Sequence, residues 1–111
     1  MAANTHPITI EKVNPDGTLV LSDHGNTIAS RGDTILWHIG KNSGVESITA
    51  IRKDSELDVF VDPGPAPLGK NWSGVIRDDL SIPCEEKYSI CYKPVDSTVV
   101  HCFDPKIQVN S

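Results

Sequence analysis

Ser30-Arg31-Gly32-Asp33-Thr34-Ile35-Leu36-Trp37-His38-Ile39 decides the fold. Its first four residues form a turn, and the six that follow are the most apolar run in the chain. Thr34, Ile35 and Ile39 are β-branched and Trp37 is aromatic, which suits a pleated strand. Leu36 and His38 alternate outward, against Ile35 and Trp37. A polar loop with two glycines, Gly40 to Gly44, ends the run. A strand this apolar is expected at the centre of a sheet.

Toward the N-terminus, Ile8 to Val13 carries Ile8 and Ile10 on one face and Glu11 on the other. Asn14-Pro15-Asp16-Gly17 then supplies a turn, since Pro presets φ and Gly permits a positive φ. Thr18 to Ser22 is therefore the returning hairpin partner, and Asp23-His24-Gly25-Asn26 is the next turn. Toward the C-terminus, Ser47 to Arg52 alternates with Ile48, Ala50 and either Ile51 or Val45 facing the core. Asp54 to Asp62 is acidic, with room for one turn of helix between Asp54 and Val59. Pro63-Gly64-Pro65-Ala66-Pro67 places three prolines in five residues, and each lacks a donor for a sheet ladder. This reads as a surface loop. Trp72 to Ile76 resumes as a strand, Leu80 to Pro83 turns, and Lys87 to Lys93 sets Tyr88, Ile90 and Tyr92 on one face with Cys91 on the other. A long connection, Pro94 to Pro105, leads to a last strand, Lys106 to Asn110.

No dozen residues keep apolar positions at helical spacing, so the chain is expected to be all-β. Seven or eight strands in one domain over residues 1–111 predict an antiparallel Greek-key β-sandwich or barrel. The 111 residues carry 10 Lys plus Arg against 15 Asp plus Glu, a formal net charge of -5. Without a basic cluster, nucleic acid is not an expected partner. No run of about 20 apolar residues occurs, which argues against a membrane helix. Met1 to Pro7 lacks the basic-then-apolar pattern of a secretory signal, so the expected location is cytoplasmic, or periplasmic or secreted if the chain is a processed form. Of the three cysteines, Cys84, Cys91 and Cys102, one pair at most can bond. Reduced thiols are the simpler expectation in a cytoplasmic protein. Cys84 with Cys102 and Cys91 with Cys102 are the pairings left open, and the second would suit a thiol-based redox sensor.

Three segments resemble the cupredoxin family of small blue copper proteins: Arg31-Gly32-Asp33-Thr34-Ile35-Leu36-Trp37, Ile82-Pro83 with Glu86-Lys87-Tyr88-Ser89-Ile90-Cys91, and Ile107-Gln108-Val109-Asn110. The resemblance implies the cupredoxin-like sandwich and, in its ordinary members, copper held by two His, one Cys and a weak axial ligand. This sequence departs from that set. The stretch Lys41 to Ile48, where the family places its first His, has none, and by parity with Ile48 the inward position falls to Glu46. Cys91 follows Tyr88 by three residues where the family's spacing is four, so Tyr92 takes the inward slot. The only Met is Met1, and Cys102 and Phe103 stand near the axial position. No metal is therefore expected, with Glu46, Cys91, His101 and Cys102 as fallback ligands. Tyr92, Phe103 and Trp72 are expected to fill the end of the sandwich where copper would sit.

The remaining polar residues read as structural. His6, His24 and His38 are expected in solvent, and Ser22-Asp23-His24 diverges along a turn where a triad must converge. Asp78-Asp79 and Glu85-Glu86 read as solubilising charge in polar connections. The expected function is a non-enzymatic, cupredoxin-like module that binds a protein partner or a small ligand without copper. Its contact surface is then the loop bearing Pro65, Pro67 and Trp72, where proline restricts entropy and Trp72 offers an anchor. The alternative is a divergent copper-binding electron-transfer protein using Cys91 and His101.

Overall fold

Ten strands follow one another among the residues that the computed structural model describes, 4–54, 58–61 and 64–110. They are β1 Thr5–Val13, β2 Leu19–Leu21, β3 Asn26–Ala29, β4 Thr34–Ile39, β5 Val45–Lys53, β6 Ala66–Leu68, β7 Asn71–Val75, β8 Cys84–Pro94, β9 His101–Phe103 and β10 Lys106–Val109. One sheet runs in the order β2-β1-β4-β7-β6 and the other β3-β10-β8-β5, with β9 also paired to β8. The chain is all-β among the described residues. The helical turn expected within Asp54 to Val59 falls largely on residues 55–57, outside them.

β4 does lie centrally, between β1 and β7. Ile35 and Trp37 are buried, His38 is exposed and Leu36 is half-buried, as the alternation requires. The expected hairpin also forms: β1 pairs with β2 across the Asn14 to Gly17 turn, where Gly17 has φ +90°.

Three features differ from the sequence reading. Both sheets are mixed, because β1 pairs in parallel with β4 and β10 in parallel with β3. Side-chain alternation carries no information on the direction of a strand's neighbour, so parallel pairs were invisible to it. Among the described residues the strands number ten, where seven or eight were expected, because the short β3, β6 and β9 fall in stretches read as turn or loop. Pro65 precedes and Pro67 occupies β6, an edge strand paired with β7 alone, the kind of strand that tolerates proline. The third difference is in β5, which has register irregularities between Val45 and Ser47 and between Ile48 and Ala50. Val45, Ile48 and Ile51 are therefore buried and Glu46 is exposed, where strict alternation put Glu46 inward.

The inner faces share one hydrophobic core with Trp37 at its middle. Trp37 packs against Phe60 and Tyr88 at ring-centroid distances of 5.6 and 5.7 Å, and its indole N–H donates to the Tyr88 hydroxyl at 3.1 Å. That bond satisfies two polar atoms that burial would otherwise leave costly.

Candidate functional site

β8 is buried at Glu86 and without a break from Tyr88 to Tyr92, and of these Tyr88, Ile90 and Tyr92 join the hydrophobic core. The same alternation that buries the two tyrosines carries Glu86 into the interior, where it is 1% exposed. This corrects the reading of Glu85-Glu86 as solvated charge: Glu85 is exposed and Glu86 is not. Among the described residues, Glu86 takes one hydrogen bond, a long one of 3.3 Å from the Val59 N–H to Oε1. Burial pushes its carboxyl up to about 7, the Val59 bond and Lys53 oppose that rise, and Asp58 and Asp54 add to it.

Glu86 forms part of the floor of a half-open pocket of about 300 Å³ at the end of β5 and the start of β8. Ile51, Phe60 and Tyr88 are the other buried members; Lys53, Asp58, Gly64 and Pro65 stand around it. Segment 58–61 is laid against β7 by Val61 N to Val75 O and Arg77 N to Val59 O, both 2.8 Å. Arg77 also donates to the Asp58 carbonyl at 3.0 Å. A side chain at Gly74 would meet Phe60 at 2.8 Å and Pro65 at 3.3 Å, so the bare backbone there is what lets both close on β7. Arg52 borders the pocket, but its guanidinium reaches the outer face of the sheet, where Nη2 lies 3.5 Å from Cys91 Sγ.

The residues singled out from the sequence are dispersed. Pro65 lines the pocket, whereas Pro67 is exposed in β6 opposite Trp72. Trp72 is half-buried against the core, and its indole donates to the Ile48 carbonyl at 3.2 Å, tying β7 to β5 across the two sheets. Cys91 and Cys102 are directly opposed on β8 and β9 and form a disulfide, which corrects the expectation of reduced thiols; Cys84 is free. His101 opposes Tyr92, one position on, and so occupies the other face of the β8–β9 pair from Cys91. The Glu46 carboxylate accepts from Lys93 Nζ. With its sulfur bonded, its imidazole on the opposite face and its carboxylate ion-paired, this set does not fit copper.

Tyr92 is fully buried and donates to the Gly17 carbonyl, and Phe103 packs against the core from β9. His6, expected in solvent, is half-buried: its Nε2–H donates to Asp33 Oδ2 at 2.6 Å. His24 and His38 are exposed.

No protein-family model matches the chain, and no curated protein matches it either. The functional reading therefore rests on the residues themselves.

Proposed function

We propose that the chain is a non-enzymatic β-sandwich binding domain, cupredoxin-like in fold, which holds a small ligand in the Glu86 pocket and takes no copper. The observation that carries this is the buried, sparsely bonded carboxyl in a recess that Ile51, Phe60, Tyr88 and Pro65 line together with charged residues. A fold seldom pays to bury such a group without a partner for it, and 300 Å³ lies at the lower end of small-molecule sites. The fold assignment is supported by the fate of the three resembling segments. They become the central strand β4, the core of β8 and the closing strand β10 of two packed sheets.

The Cys91–Cys102 bond favours an oxidising compartment, and with it a periplasmic or secreted location over a cytoplasmic one. Copper binding through Cys91 and His101 would require that bond to be reduced and one of the two side chains to change faces. Protein purified without chelator and titrated with Cu(II), with and without prior reduction, tests the metal-free reading. The expected result is colourless protein with no stoichiometric copper in both states. A thiolate-to-copper charge-transfer band in the reduced sample would replace it with the electron-transfer alternative.

A further inference from the structure

We infer that the ligand of this pocket is a small primary ammonium on an apolar or aromatic stem, its charged head on the Glu86 carboxylate and its body against Phe60, Tyr88, Ile51 and Pro65. The inference rests on the small-ligand reading of the pocket and narrows it to one chemical class.

Among the described residues that line the pocket, Glu86 and Tyr88 are the buried ionisable ones, and the Tyr88 oxygen already accepts the Trp37 indole N–H. A ligand that reaches the ionised Glu86 must therefore bring donors to it. An ammonium brings three, each a charge-assisted bond about twice as strong as a neutral one. The surroundings favour the same sign. Asp58 stands at the rim and Asp54 acts on Glu86 from the end of β5; against them Lys53 acts on Glu86, while the Arg77 guanidinium beside the Asp58 carbonyl is taken up by the Asp79 carboxylate. Arg52 borders the pocket with its Nη2 turned to Cys91 Sγ on the outer face. An anionic ligand would meet the Glu86 and Asp58 carboxylates together. Phe60 and Tyr88 among the lining residues supply aromatic rings of the kind that attract an ammonium. The volume restricts the body to a single ring or short chain.

The pocket carries its own reporter, since Trp37 touches both Phe60 and Tyr88. Phenethylamine, the neutral 2-phenylethanol and the anionic 3-phenylpropionate are titrated into the protein, followed by calorimetry and tryptophan fluorescence. Phenethylamine is expected to bind at least about tenfold more tightly than either analogue, and Glu86→Gln to weaken it by about tenfold or more. The groups facing Glu86 are Asp58, Lys53 and Asp54 from the neighbouring segments, and Tyr88 and Cys84 along its own strand. Glu86 passes from acid to carboxylate as pH rises through about 7, so phenethylamine affinity is expected to rise by at least about tenfold between about pH 5.5 and 8. Equal affinity for amine and alcohol, tighter binding of the propionate, or unchanged amine affinity in Glu86→Gln would overturn the ammonium assignment and leave the pocket reading standing. No binding of any of the three overturns both. The wild-type comparison among the three probes decides the matter even where the Gln variant fails to fold.

Discussion

Glu86 and Asp33 are both buried acids, and their surroundings drive them in opposite directions. Burial also pushes Asp33 upward, but hydrogen bonds from Asn4 N, Ser30 N and His6 outweigh it and hold the carboxyl below its ordinary value. Glu86 has one long bond in place of three good ones, and burial wins. The consequences for stability have opposite signs. Asp33 binds its proton more weakly in the folded state, so its contribution is present above the unfolded carboxylate pKa and is lost as pH falls through its folded value. Glu86 binds its proton more tightly when folded, so its contribution is complete below about 4.5 and is lost as pH rises through about 7. At about 1.4 kcal/mol per pKa unit, that loss is at most on the order of 3 kcal/mol. Urea unfolding midpoints are therefore expected to fall between about pH 5 and 8 in the wild type and to stay nearly level in Glu86→Gln, whose amide does not titrate. Parallel curves for the two proteins would show that Glu86 is not the group responsible. The inward placement of Glu86 was legible: extending the Tyr88, Ile90, Tyr92 parity two residues upstream reaches it. The three donors that gather on Asp33 were not, because His6 lies on β1 and Asn4 just before it, and β1 pairs in parallel with β4, a neighbour that no local pattern announces.

At the scale of elements, long periodic strands were readable and short ones were not. β4 and β8 declare themselves by alternation, whereas β9 is three residues, His-Cys-Phe, with its first two exposed. What holds β9 in place is its ladder to β8 and the Cys91–Cys102 bond beneath Arg52. The cysteines are separated by 11 positions, and closing a loop of this size in the unfolded chain stabilises the fold by roughly 2–3 kcal/mol. Two outcomes are expected. Denatured protein without reductant should titrate one thiol, Cys84, and after reduction all three cysteines. Replacing Cys91 and Cys102 together by Ser should lower stability by roughly 2–3 kcal/mol in denaturant unfolding. Three thiols in both conditions would show that the bond does not form and would withdraw the argument for an oxidising compartment. The two-residue spacing of Tyr88, Ile90 and Tyr92 already set Cys91 on the outer face. Its partner followed only once β9 was seen to lie alongside.

On the whole-molecule scale, the two-sheet arrangement depends on pairings between distant parts of the chain. β1, at one end, is set between β2 and β4, and β10, near the other, between β3 and β8. β3 is an edge strand whose sheet partner is β10, reached across nearly the whole chain. Ile107 and Val109 of β10 are fully buried, and the strand's opposite neighbour in register with Ile107 is Glu86 itself. Without β10, Glu86 would lose the cover that makes it a buried acid, and β3 would lose its ladder. Truncation after Pro105 is therefore expected to abolish cooperative thermal unfolding by circular dichroism, since loss of two buried aliphatic side chains alone costs about 4–8 kcal/mol, comparable to the whole stability of a domain this size. A truncated chain that still melted in one sharp transition near the full-length temperature would mean that β10 is an accessory strand. In that case the second sheet would have to be held by β5, β8 and β9, and the burial of Glu86 would not depend on the closure of the sandwich by β10.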